Sequence, residues 1–202
     1  EICKRIEAAE VAVRNLFNQF GFAAELYLQT AERLEEGKDR FDRVIEDKFV
    51  DSREKYFVGL PKTKREILKS HGKLLKLYAS ASRSKGRDRD HKLKSCDRTR
   101  KRLTELFERL YFKQKVVESL ASKAEETYRE VVASISRSTH ARKARKSRKQ
   151  TSILRSEARR LNKMESRICS TCEDFASKYR ELKDAMRKGM AARTEMVEAN
   201  LR

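Results

Sequence analysis

The sequence predicts an all-α fold: three long antiparallel helices in an elongated coiled-coil bundle, forming a single helical domain over residues 1–202. Three observations carry that expectation. The 202 residues include only 6 Gly and 1 Pro, no Trp, and 40% charged side chains, the composition of long helices rather than of sheets, which need more turns. Apolar residues recur in alternate steps of three and four over most of the chain. At 38% hydrophobic the chain can bury seams between helices but cannot fill a thick core alone, so a second copy is expected to cover the remainder as a homodimer.

The first helix is expected over about 1–50. Its seam runs Ile6, Ala9, Val13, Leu16, Phe20, Ala23, Tyr27, Leu34, Phe41 and Val44, interrupted at Thr30 and Gly37. Phe17, Phe22, Ala24 and Leu28 widen the stripe, so this helix packs against more than one neighbour. It is also the least basic, and Ile6, Val13, Leu16, Phe20 and Tyr27 are therefore the expected dimer interface. Asp51-Ser52 and Gly59-Leu60-Pro61 then supply capping and breaking residues.

The second helix is expected over about 61–111, with Pro61 in its first turn and an apolar face of Ile67, Leu68, Leu74, Leu75 and Tyr78. From Ser80 to Asp90 the chain is small and charged around Gly86, where the helix either kinks or continues as a solvated stretch. The seam resumes at Leu93, Cys96, Leu103, Phe107 and Leu110, and the chain reverses near Phe112 to Val117. The third helix is expected over about 116–201, bent or broken near 137–150, where the residues are almost purely basic and polar. Ile153, Leu154, Leu161, Met164, Ile168, Cys172, Phe175, Tyr179, Leu182 and Met186 carry its seam onward.

The formal net charge is +19, which speaks of partners rather than of fold: nucleic acid, acidic membrane or acidic protein. Residues 1–56 hold 10 Lys/Arg against 13 Asp/Glu, whereas residues 57–202 hold 40 against 18. A solvated surface without an electrostatic role would interleave both signs, so the excess points to one binding face on the second and third helices. Between Arg137 and Lys149, seven of thirteen positions are cationic and none is acidic. The candidate binding residues are Arg83, Lys85, Arg87 and Arg89; Lys113 and Lys115 near the reversal; and Arg137, Arg142, Lys143, Arg145, Lys146, Arg148 and Lys149.

Catalytic and metal chemistry find little support. Cys169-x-x-Cys172 has metal-ligand spacing but lacks a second pair, and Cys172 shares a stripe with Ile168 and Phe175, where small buried thiols are ordinary. His140 sits among arginines without a carboxylate to orient it as a base, and reads as a neutral contact residue. No Gly-rich loop or nucleophile elbow is present. The expectation is a non-enzyme without cofactor. Four irregularly spaced cysteines in a helical chain suggest a reduced, cytoplasmic setting, and no stretch is apolar enough to cross a bilayer, so any membrane contact is peripheral. The chain opens without Met and already in helical pattern, as an excised domain would.

At Lys92-Leu93-Lys94-Ser95-Cys96-Asp97-Arg98-Thr99-Arg100 the sequence resembles the second-helix signature of amphiphysin-class BAR domains, with Ser95 and Cys96 standing where that signature has Asp and Tyr. Ala124-Glu125-Glu126-Thr127-Tyr128 is similar to a stretch early in that family's third helix. On the residues alone, Asp97 and Arg100 can pair on one helix face while Leu93, Cys96 and Leu103 point to the core. The resemblance implies an antiparallel dimer, a six-helix curved body, and basic residues on the concave face and arm tips that hold phosphatidylserine or phosphoinositides, sensing or generating membrane curvature as in endocytosis and membrane trafficking. Two other classes stand beside it. A basic helical protein that binds nucleic acid is less favoured, since residues 137–149 hold no aromatic to stack on bases. A coiled-coil scaffold could instead dock an acidic protein partner.

Overall fold

The computed structural model describes residues 1–144 and 147–201, and Arg145 and Lys146 of the expected basic cluster lie outside the described residues. The chain is helical throughout its main elements: α1 (Ile2–Phe17), α2 (Ala23–Glu35), α3 (Phe41–Val44), α4 (Arg53–Arg83), α5 (Gly86–Glu108), α6 (Gln114–Ser122), α7 (Ala124–Lys143), α8 (Arg148–Ile168) and α9 (Cys172–Asn200), with a single 3₁₀ turn at Asp47–Phe49. The three expected helices are thus each subdivided. α1 packs along α9, and α4 with α5 and α7 with α8 form two helical hairpins.

The first expected helix breaks after Phe17 because a distant segment occupies its path. The Gly21 N–H donates to the Ile168 carbonyl at 2.8 Å. A Cβ at Gly21 would stand 2.5 Å from the Arg167 carbonyl oxygen, so only glycine allows the approach. α2 stops at Gly37, whose φ of 69° suits the left-handed cap. There the N–H groups of Gly37 and Lys38 return to the carbonyls of Leu34 and Arg33 at 3.2 and 2.9 Å.

The second expected helix is two. α4 begins earlier than Pro61, at Arg53, with the Ser52 hydroxyl capping the Lys55 N–H at 3.2 Å, and Pro61 lies inside it. At Ser84-Lys85 the chain turns back, and Gly86 takes a φ of 55°. The apolar faces of α4 and α5 then close on each other, burying Ile67, Leu74 and Tyr78 with Cys96, Leu103 and Leu106. A straight helix would have left both stripes in water. The Tyr56 hydroxyl donates to the Leu110 carbonyl at 3.0 Å, and Arg102 reaches Glu66 at 3.3 Å, which fixes the antiparallel register.

The third expected helix is broken between Lys143 and Arg148, at Lys123 and at Cys169–Thr171. Cys169 caps α8 in the left-handed region at φ 58°, a conformation uncommon for a residue with a Cβ. Its backbone is held from both sides: its N–H donates to the Glu165 carbonyl at 2.7 Å, and the Arg100 guanidinium donates to its carbonyl. Thr171 opens α9 by accepting from the Asp174 N–H at 3.2 Å.

An aromatic core joins these breaks. Phe20 meets Phe175 edge-on at 4.8 Å and stacks on Phe22 at 5.6 Å, while Tyr27 stacks on Phe107 at 4.2 Å. The buried Tyr27 hydroxyl donates to Asn18 Oδ1 at 3.0 Å, and burial holds its phenol far above the usual tyrosine range. Val13, Phe20 and Tyr27, expected at a dimer interface, are buried within the single chain, and Ile6 and Leu16 are half-buried. The bulk of that seam is covered by α9 and α5 rather than left for a second copy.

The residues of the α5 signature behave as their spacing suggests. Arg100 pairs with Asp97 at 2.7 Å, Cys96 and Leu103 are buried, and Leu93 packs at the core's edge. Cys172 lies in the core with Ile168 and Phe175, and burial pushes the thiols of Cys169 and Cys172 up to about 12.

His71 is buried on α4 beside the Gly21 backbone, its Nε2 without a partner. Burial lowers its pKa below the ordinary value near 6.5, with the nearby Glu25 opposing only in part. A depressed folded value means that the unfolded chain binds the proton first, so stability present above pH ~6.5 is lost as pH falls toward the folded value. Thermal midpoints are expected to drop across that window in the wild type and to drop less in His71→Gln, as read by circular dichroism melts. Equal slopes in the two proteins would remove His71 from the pH response.

Candidate anion-binding surface

Two helix ends flank the turn between α7 and α8. α7 ends in Arg142 and Lys143, α8 opens with Arg148 and Lys149, and Ser147 caps α8 by accepting from the Gln150 N–H at 3.2 Å. The first turn of α8 contains no acid, so the positive end of its dipole adds to the side-chain charge. Further along, Arg148, Thr151, Ser152, Arg155, Ser156 and Arg159 line a shallow groove on its outer face. Its three guanidinium groups suit anionic oxygens, while the Thr151 and Ser156 hydroxyls donate to the Ser147 and Ile153 carbonyls of the helix itself.

One acid lies in the whole stretch between residues 131 and 164, against eleven Lys/Arg, and that acid is turned inward. Glu157 sits in the α7/α8 seam. Arg137 Nε donates to its Oε1 at 2.8 Å, Arg137 Nη2 to its Oε2 at 3.2 Å, and the Ser134 hydroxyl to the same Oε2. These donors hold the Glu157 carboxyl below the usual carboxylate range. Arg137, expected to face an anionic surface, is instead committed to Glu157. Among the described residues Arg142, Lys143, Arg148, Lys149, Arg155 and Arg159 join no ion pair. His140 lies in the last turn of α7 with Nδ1 2.9 Å from the Ser136 carbonyl.

The second cluster lies at the α4/α5 turn, where Arg83, Lys85, Arg87 and Arg89 are exposed and Lys92 pairs with Asp88 at 2.7 Å. α4 meets the C-terminal end of α8, where His71 lies near Gly21, which touches Ile168, and Tyr78 lies near Glu165 and Cys169. Burial, reinforced by Glu165, pushes the Tyr78 phenol up to about 12. The helices of the α7/α8 hairpin pack chiefly on each other, so the hairpin is an arm on the rest of the chain.

Lys113 and Lys115 do not join either cluster. They begin α6, at the far end of the twenty-residue α7 from the arm tip, and the Lys113 ammonium donates to the Asp42 carbonyl at 2.7 Å. The groove arginines Arg155 and Arg159 went unselected in the sequence because 150–168 presents an apolar seam that dominates its reading. Their separation of four, and of seven from Arg148, places all three on one face.

Among the described residues no helix is long and apolar enough to cross a membrane, and no group of His, Cys, Asp and Glu is arranged to hold a metal ion. No protein-family model matches the chain.

Proposed function

We propose that this protein binds anionic phospholipid surfaces, through the tip and outer face of the α7/α8 arm with the α4/α5 turn as a second contact. The observation that supports this reading is the charge of residues 131–164: eleven cations against a single acid, and that acid is buried. Such self-repulsion burdens a folded hairpin unless an anionic partner offsets it. At about 1 kcal/mol for each nearby Lys or Arg, the six arm cations without ion pairs would give about 6 kcal/mol, a dissociation constant on the order of tens of micromolar. That is reversible, peripheral attachment.

A membrane suits the arm better than nucleic acid does. A headgroup layer asks for density of charge, whereas single-stranded nucleic acid also asks for stacking platforms, and residues 131–164 contain no Phe, Tyr or Trp. Phosphatidylserine and phosphoinositides are the proposed lipids, and a cytoplasm-facing leaflet the proposed setting. A homodimer would present two arms and raise avidity without new contacts. Curvature sensing, which the BAR resemblance implies, further requires that two arms be held at a fixed angle. The chain is expected to sediment with phosphatidylserine vesicles but not with phosphatidylcholine vesicles, less so as salt rises, and to prefer small vesicles if it senses curvature. A gel shift with random duplex DNA in the same salt series, tighter than vesicle binding, would transfer the arm to nucleic acid.

A further inference from the structure

Well away from the arm tip, α2, α3 and α6 enclose a cleft of 800 Å³. Four cations line it, Arg33, Arg43, Lys115 and Lys123, against one carboxylate, Asp39. That carboxylate is already covered: Arg33 Nε and Nη2 each donate to it at 2.9 Å. Arg33 and the nearby Lys123 keep Asp39 ionised by holding its carboxyl below the ordinary range. Arg43, Lys115 and Lys123 join no ion pair among the described residues, whereas the neighbouring Arg33 and Arg40 pair with Asp39 at 2.9 Å and Asp42 at 2.8 Å. The Gln29 amide and the hydroxyls of Thr30 and Ser119 also face the cleft, and Val44, Val116 and Leu120 form its apolar floor.

We propose that this cleft binds a compact polyanion bearing two or more phosphates, the chemistry shared by a lipid-borne inositol phosphate headgroup and a free inositol polyphosphate. Three cations without ion-pair partners, Arg43 on α3 with Lys115 and Lys123 at the two ends of α6, line one concave space. An apolar floor excludes water from below and strengthens each attraction. The Arg33–Asp39 pair fixes one wall, and the Gln29 amide and the Ser119 hydroxyl supply neutral donors between the charges. A monovalent headgroup would engage one or two of these groups, whereas a trisphosphate can meet all three. The assignment does not depend on the arm binding membranes.

The test titrates inositol 1,4,5-trisphosphate into the whole chain by isothermal calorimetry. Arg43→Gln with Lys123→Gln keeps polarity on exposed positions and is expected to weaken binding roughly 100-fold or more, the scale of two lost charge-assisted hydrogen bonds. A variant with Arg142, Lys143, Arg148 and Lys149 changed to Glu should bind the trisphosphate as the wild type does. Absence of binding to wild type, or equal loss in both variants, overturns the proposal, as does undiminished binding by the cleft variant with an unchanged circular dichroism melt. Vesicles containing phosphatidylinositol bisphosphate identify the source. Release of the arm variant from them by free trisphosphate assigns the cleft to the lipid headgroup, and no vesicle binding by that variant assigns it to the soluble ligand.

Discussion

Changing Arg142, Lys143, Arg148 and Lys149 together to Glu is expected to abolish sedimentation with phosphatidylserine vesicles at physiological salt. Four cations removed at about 1 kcal/mol each already lower the affinity ~1,000-fold, and the new acids repel the surface. Folding should survive, because all four residues are exposed and exposed substitutions usually change stability by no more than ~0.5 kcal/mol. Helix dipoles make the set nearly self-compensating: acids in the first turn of α8 are favourable, and acids in the last turn of α7 are unfavourable by a similar amount. An unchanged melt with lost binding supports the arm. Full vesicle binding by this variant at physiological salt would show that another face carries the attraction.

Phe20→Asp is expected to unfold the chain rather than to release a folded monomer. Phe20 is 3% exposed and touches aromatic rings from three sides, Phe17 at 6.4 Å, Phe22 at 5.6 Å and Phe175 at 4.8 Å. Emptying such a site costs ~3–5 kcal/mol, and an unpaired carboxylate placed there adds a desolvation penalty of similar size. Together these rival the ~5–15 kcal/mol that holds a domain folded. Circular dichroism should report loss of helix at 25 °C. Should light scattering and circular dichroism instead find a helical monomer, the first-helix seam would belong to a dimer interface after all.

Helices were readable in this sequence because the apolar steps persist wherever a helix exists, and the buried positions Val13, Tyr27, Cys96, Leu103, Ile168 and Phe175 all lie on those steps. The reversals were harder. Gly86 permits a kink, a continuation or a turn, and what selects the turn is the burial of α4 against α5, a pairing of residues tens of positions apart. Gly21 breaks the first helix for the sake of Arg167 and Ile168, far along the chain, so no local pattern announces it. Cys169 takes a left-handed cap without being glycine, and therefore carries no composition signal. Other signals were present but faint: Ser147 with Gln150 three residues later is a helix-start pattern, and so is Thr171 before Glu173 and Asp174. Charge density marked residues 137–149 as a basic segment. It could not separate Arg137 from its neighbours, because its ion-pair partner, Glu157, faces it only once the hairpin has closed.

The seam holding that hairpin is built from Ser134, Ser138 and Ala141 around the Glu157 carboxylate, with Ile153 and Leu154 only half-buried. Little apolar area is hidden there, so the arm should open in its own cooperative unit, at a free energy below that of global unfolding. Amide hydrogens of α7 beyond Val131 and of α8 before Ala158 should then exchange with solvent sooner than those of the paired α1 and α9. An anionic surface that touches both flanks of the turn favours the closed form alone, and by mass action should slow that exchange. Uniform protection across arm and core would mean that the arm unfolds only with the rest of the chain. Faster exchange in the arm, slowed by phosphatidylserine vesicles, would mark it as an element that is locally soft until the proposed membrane contact joins its two helices.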